Sequence, residues 1–312
     1  MWNLGTKDIK KCCRQGKKDH EKNTPRFIWI SFLTLLVGML VALYYSTDLV
    51  KALRSQPPRL IAHAAGALNG RTYTNSREAF DANYTKGHRY FEADFSWTSD
   101  AKLVLIHDWT ATFIRWFNAK GLPTLKQFKS INMKHQMTQM TLDDLYSWLL
   151  EHKDAYIITD VKTNNVSALR MISETAGKLK ERFIPQIYAL TEFKTVRQLG
   201  FKDIILTLYR LNLPDEEILE FVNNNELFAV TMPAVRAMST SLAKNLKKKD
   251  IFVFAHTINS LEIWEKLQYQ GVSGIYTDFL TQTDLAKMRK FQRYPIPSLK
   301  ENLKVPERVA TP

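Results

Sequence analysis

RYFEADFSWTSDAKLVLIHD, residues 89–108, decides how the rest of the chain folds. RYFEAD (89–94) and LVLIHD (103–108) both read as strands, being short, apolar and bounded by polar residues. Only eight residues, FSWTSDAK, part them. A parallel crossover takes a dozen residues or more, whereas an antiparallel hairpin closes over a few. The second run is therefore predicted to fold back beside the first.

Working outward, seven further strand candidates follow one another: RLIAH (59–63), YIITDVK (156–162), QIYAL (186–190), DIILTLY (203–209), LFAVTM (227–232), IFVFAHT (251–257) and GIYTD (274–278). Helical periodicity fills most of the intervals, as in TLDDLYSWLLEHK, where Leu142, Leu145 and Leu149 share a face and Thr141 is placed to cap. Strands alternating with helices indicate a parallel α/β sheet. Nine candidates less one hairpin partner leave eight. Residues 59–285 are thus predicted to form a (β/α)8 TIM barrel with a short hairpin insertion after its second strand. The proline-rich stretch 286–312 reads as an irregular tail.

In such a barrel the active site lies at the C-terminal ends of the strands. The first strand ends in His63, the second in Glu92 and Asp94, the hairpin in His107 and Asp108, and the next in Asp160 and Lys162. Residues two apart on a strand point to the same side, so Glu92 and Asp94 lie together. Adjacent carboxylates repel unless one is protonated or a cation sits between them. With Asp160 they make three oxygen ligands suited to a hard ion, Ca²⁺ or Mg²⁺. A strand-end ion pair of Glu92 or Asp94 with Arg89 or Lys102 is the competing reading. His63 and His107 suit general acid–base work, because imidazole titrates near neutrality. Lys162 would balance Asp160 or meet an anionic phosphate. His256 and Asp278 end later strands and face either the pocket or the core.

Charge and hydropathy divide the chain. The 312 residues carry a net +13. Residues 1–26 hold eight Lys and Arg against three acidic residues. Residues 27–45, FIWISFLTLLVGMLVALYY, contain no charge, and 19 residues at about 1.5 Å per residue match the bilayer hydrocarbon. Trp29, Tyr44 and Tyr45 stand near its ends as interfacial anchors would. The segment reads as one uncleaved transmembrane helix preceded by a basic cytoplasmic tail and followed by a linker, 46–58. The positive flank places the catalytic domain outside the cytoplasm. Cys12 and Cys13 are the only cysteines, so neither a disulfide nor a thiolate metal site is available to the barrel. No stripe of arginines interleaved with aromatics suggests nucleic acid as a partner.

HAAG (63–66), TNSREAF (74–80), FEADFSWTSD (91–100), VLIHD (104–108), ITDVK (158–162) and GIYTD (274–278), in this order and spacing, resemble the glycerophosphodiester phosphodiesterase family. The resemblance covers about residues 59–280. It implies a TIM barrel with one divalent ion. It implies catalytic acid and base at His63 and His107, metal ligands at Glu92, Asp94 and Asp160, and Lys162 beside them. It implies a phosphate or supporting contact at Asn75. Where that family has His-Arg-Gly, this chain has Ala64, so the arginine is missing; Arg71 is the substitute the loop offers. Thr74 stands in place of a glutamate.

The expected function is a membrane-anchored, metal-dependent phosphodiesterase acting on glycerophosphodiesters or related anionic diesters. Two readings compete: a lyase that stops at a cyclic phosphate, and a catalytically decayed, membrane-tethered binding protein.

Overall fold

The computed structural model describes residues 35–39 and 57–293. The basic tail, most of the apolar segment 27–45, the linker up to residue 56 and the chain after 293 lie outside the described residues. Residues 35–39 are helical. Among the described residues no helix is long and apolar enough to cross a membrane.

From Pro57 onward the sequence folds into a closed parallel barrel of eight strands. They are β1 (Leu60–Ala62), β2 (Tyr90–Trp97), β4 (Tyr156–Val161), β5 (Phe183–Ile187), β6 (Ile205–Thr207), β7 (Ala229–Pro233), β8 (Phe252–His256) and β9 (Gly274–Thr277). β3 (Leu103–Leu105) is the ninth strand and pairs antiparallel with β2, Phe95 opposite Leu105 and Trp97 opposite Leu103. The barrel closes where β1 meets β9 on one side and β2 on the other. The hairpin and the eight-stranded barrel that the sequence predicts are both present.

Two boundaries differ from expectation. β5 begins at Phe183, three residues before the predicted QIYAL, and contains Pro185. Proline cannot donate to the ladder. Its neighbour Gln186 turns its N–H to Thr159 Oγ1 at 3.4 Å. The last helix runs from Gln282 to Arg293, so the expected irregular tail starts with eight helical residues.

Helices α1 (Arg77–Thr85), α4 (Leu142–Glu151), α5 (Asn165–Thr175), α6 (Glu192–Gln198), α7 (Asp215–Asn224), α8 (Ala234–Ser239), α9 (Leu242–Lys247) and α10 (Leu261–Tyr269) are among those that cover the barrel, with α2 (Ala111–Phe117) and α3 (Leu125–Ser130) between β3 and α4. α4 starts as the sequence predicts: Thr141 accepts from Asp144 N–H at 3.2 Å, and Asp144 accepts from Thr141 N–H at 2.9 Å. That reciprocal box satisfies two of the donors a helix start leaves open.

The alternation of each strand sorts its side chains into two layers. Phe91, Ala93 and Phe95 of β2 pack outward under the helices, with Ile157 and Val161 of β4. Ile61, Ile158, Ile184, Ile205 and Phe254 fill the barrel interior. The period of two then obliges Glu92 and Asp94 to point inward from β2, and Asp160 from β4.

Closure of the barrel leaves no room for a side chain on Gly274. A methyl group on Gly274 of β9 would lie 2.0 Å from the Pro58 carbonyl oxygen. The atom it meets is backbone and the methyl sits directly on Cα, so neither can yield without a shift of the chain at the β1–β9 seam. Gly274→Ala is expected to destabilise the barrel by about 3 kcal/mol, the upper end of overpacking costs. Thermal denaturation of the variant beside the parent chain checks this, and an unchanged midpoint would refute the steric account.

Candidate active site

β2 and β4 pair with Asp94 directly opposite Asp160. The two carboxylates therefore lie side by side at the C-terminal end of the barrel, and Glu92 lies one pleat below. Oxygen atoms of Glu92, Asp94 and Asp160 fall within 4.8 Å of one another, and all three residues are buried. The competing strand-end ion pair does not form for Arg89, which reaches Asp154 instead at 2.6 Å.

Each carboxylate is held by a different set of donors. Glu92 Oε2 accepts the Ala64 N–H at 2.6 Å. The turn that delivers this N–H is left-handed at three successive residues, Ala64 (φ 47°), Ala65 (φ 70°) and Gly66 (φ 82°). Such geometry costs free energy at alanine and persists where surrounding contacts fix it. Asn83 provides such a contact, donating to the Ala65 and Ala67 carbonyls at 2.9 and 3.3 Å. Glu92 Oε1 is buried with no hydrogen-bond partner. Burial, and then the charge of Asp94, push the Glu92 carboxyl well above its ordinary range.

Asp94 is positioned by Asn75. The Asn75 amide nitrogen donates to Asp94 Oδ2 at 2.8 Å, and its oxygen accepts the Asp94 N–H at 3.0 Å. Both ends of this fully buried amide are committed to Asp94, so Asn75 supports a carboxylate rather than offering itself to phosphate. Lys162 Nζ approaches Asp94 Oδ1 at 2.5 Å as an ion pair and donates to Asp160 Oδ2 at 2.7 Å. Burial would raise the Asp94 pKa, but Lys162 and the two histidines bring it down to about 2. Lys162 is correspondingly held protonated: burial opposes its charge, and Asp94 and Asp160 prevail. Asp160 also accepts from the hydroxyls of Tyr188 and Tyr209.

The two histidines are built alike. His63 Nδ1 meets Asp278 Oδ1 at 2.9 Å, and His107 Nδ1 meets Asp108 Oδ2 at 2.9 Å. In both, a carboxylate fixes the ring and leaves Nε2 for chemistry. Burial alone would lower the His63 pKa; the Asp278 hydrogen bond and the charges of Glu92 and Asp94 raise it to about 9. Asp108 is anchored by Thr110 and Thr112, which keep its carboxyl below the usual range against the effect of burial. Tyr73 stands between the imidazoles, edge-on to His63 at 4.7 Å and to His107 at 5.1 Å.

A small cavity of about 40 Å³ opens here, lined by His63, Glu92, Asp160, Tyr209, His256 and Tyr276 among others. His256 is neutral: burial and then the charge of His63 lower its pKa to about 4. Thus His63, Glu92, Asp94, His107, Asp160 and Lys162 come together as the sequence suggests. Arg71 does not join them; its guanidinium contacts the Asn69 carbonyl and His135 at 3.5 and 3.3 Å. With its guanidinium on these two partners, Arg71 makes no contact with the carboxylates or the two imidazoles of the site.

Four site residues escape a reading of titratable strand ends. Tyr188 and Tyr209 lie one and two residues beyond β5 and β6, where they could have been found by position. Arg210 lies over both rings, 4.3 Å from the centre of Tyr188 and 5.0 Å from that of Tyr209. Tyr73 sits in a loop at φ 59°, a placement no local pattern announces.

Paired imidazoles, each oriented by a carboxylate, beside a buried acidic cluster at a barrel mouth define a class: acid–base hydrolases of anionic esters. The comparisons narrow it. Residues 66–282 match the glycerophosphoryl diester phosphodiesterase family model. The chain belongs to that family and is a phosphoric diester hydrolase. Its fold is shared with solved structures at low identity. A glycerophosphodiester phosphodiesterase from Thermotoga maritima is 20% identical at a TM-score of 0.58, covering 75% of this chain and 98% of its own. One from Parabacteroides distasonis is 16% identical at 0.59, covering 75% and 98%. An Oleispira antarctica phosphodiesterase solved with the product sn-glycerol-3-phosphate is 16% identical at 0.59, covering 74% and 97%.

Proposed function

We propose that this chain is a membrane-anchored, divalent-metal-dependent phosphodiesterase that hydrolyses glycerophosphodiesters or related diesters derived from phospholipid or envelope polymer. One observation carries the reading. Three buried carboxylates converge, and Glu92 Oε1 among them has no partner. A buried carboxylate oxygen without a donor is costly, and a hard cation on these oxygens removes that cost. The donor set, all oxygen, fits Ca²⁺ or Mg²⁺, with Glu92, Asp94 and Asp160 as the holding residues. When bound, the ion supplies Lewis-acid polarisation of the phosphoryl group.

The chain's own groups do the rest. His63, its Nδ1 held by Asp278, gives its Nε2 proton to the departing alkoxide as the P–O bond breaks. His107, oriented by Asp108, takes the proton of the attacking water as the new P–O bond forms, or of a substrate hydroxyl in a first step whose cyclic phosphate water then opens. Lys162 on Asp160 and Arg210 over the Tyr188 and Tyr209 rings bring positive charge to this part of the mouth and favour an anionic substrate there. The product complex of the Oleispira antarctica relative supports a glycerol phosphate ester as substrate. The uncharged stretch 27–45 behind a basic flank supports a single-pass anchor with the barrel outside the cytoplasm.

The test is turnover of a glycerophosphodiester panel by the full chain purified from membranes, with Ca²⁺, Mg²⁺ or EDTA. Ion-dependent release of alcohol and glycerol phosphate is expected. Turnover that survives EDTA would remove the metal from the mechanism, and a cyclic phosphate as end product would replace hydrolysis by a lyase reaction.

A further inference from the structure

We infer that the helical lobe between β3 and α4 is a docking surface for an anionic lipid bilayer. Residues 109–142 contain Arg115, Lys120, Lys126, Lys129 and Lys134 and no acidic residue. All five cations are exposed. No ion pair is formed by any of them among the described residues, and what sets the lobe apart is that its own 34 residues supply no acidic side chain at all. An ordinary solvated surface mixes both signs, so a one-sign lobe of this size calls for an anionic partner.

The lobe also exposes apolar side chains. Phe113, Trp116, Phe117 and Phe128 form its own small core. Ile114 and Leu122 stay out of that core, 41% and 54% exposed. Cations with accompanying apolar side chains suit an interface where headgroups meet the first and acyl chains receive the second. A soluble polyanion would engage the cations and leave Ile114 and Leu122 in water, which favours the bilayer as occupant.

Position adds the functional link. His107 and Asp108 lead straight into the lobe, with Asp108 accepting from Thr112 N–H at 3.1 Å. Trp116 Nε1 donates to the Tyr73 carbonyl at 3.1 Å, and Tyr73 touches both imidazoles. A bilayer that receives this lobe therefore meets the catalytic mouth on its His107 side. The inference rests on the proposed membrane location, not on the chemistry of the site.

Hydrogen–deuterium exchange of the full chain in lipid nanodiscs tests it without requiring activity. Amides of residues 110–130 are expected to exchange about tenfold more slowly in phosphatidylglycerol-containing discs than in phosphatidylcholine discs. The protection should vanish in K120E/K126E/K129E, and also at roughly 0.5 M salt, where screening shortens the reach of surface charge. Leu122→Ser should weaken it while keeping the charges. Equal exchange in both discs would overturn the proposal. So would protection by a soluble polyanion with none from the anionic disc. A chain that fails to co-elute with phosphatidylcholine discs would fault the anchor at 27–45, not the lobe.

Discussion

Glu92→Gln is expected to lower kcat/KM by on the order of 10³-fold, about 4 kcal/mol, and to abolish divalent-ion binding. The asymmetry of its contacts gives the reason. Oε2 accepts the Ala64 N–H, so the amide oxygen of glutamine must take that position. The NH₂ group is then forced into the place of Oε1, the oxygen with no partner in the chain. A donor faces the position where a cation needs an acceptor, although shape and the Ala64 contact are kept. Calorimetric titration of Ca²⁺ and Mg²⁺ into the variant, with steady-state kinetics, checks both halves.

Stability should move the other way. Folding raises the Glu92 pKa through burial and the Asp94 charge. An acid with a raised folded pKa stabilises fully below its unfolded value, and that contribution is lost as pH rises through the folded value. In EDTA at neutral pH the parent chain therefore bears a cost that glutamine lacks, so the variant should melt higher. The difference should shrink on acidification toward the ordinary glutamate range. A variant that keeps ion affinity and activity within tenfold of the parent would remove Glu92 from the ligand set.

His63→Ala and His107→Ala are each expected to cost roughly 10²–10⁴-fold in kcat, the usual worth of a general acid or base. Their roles separate on leaving-group dependence. A p-nitrophenyl diester departs without protonation, so the variant lacking the acid should regain most of its rate and the variant lacking the base should not. Rescue is expected for His63→Ala, because Asp278, Glu92 and Asp94 surround that imidazole with negative charge and hold its proton. Rescue of His107→Ala alone would exchange the two roles, and rescue of neither would take leaving-group protonation away from both.

Much of this site was legible as strand ends. The eight-residue gap between RYFEAD and LVLIHD admits only a hairpin, and counting strands then returns a barrel. Once a barrel is granted, the period of two aims Glu92, Asp94, Asp160 and Lys162 inward, and His63 and His107 fall at the mouth. These inferences hold because strand geometry ties sequence spacing to direction in space. Asn75 shows the limit. Its nearness to the carboxylates agrees with the motif, but which atoms its amide meets depends on how a left-handed loop at φ 47° crosses the end of β2.

The sequence by itself determined the class of fold, the acidic cluster and the pair of imidazoles, because each is written as a local period or a fixed gap. Tertiary structure alone decided what those groups do to one another. The β2–β4 register sets Asp94 against Asp160. Asp278, 215 residues from His63 along the chain, orients that ring. Arg71 contacts Asn69 and His135, while Tyr188 and Tyr209 donate to Asp160 and Arg210 covers their rings. Such contacts join residues whose separation along the chain carries no directional information, so only the closed barrel fixes them.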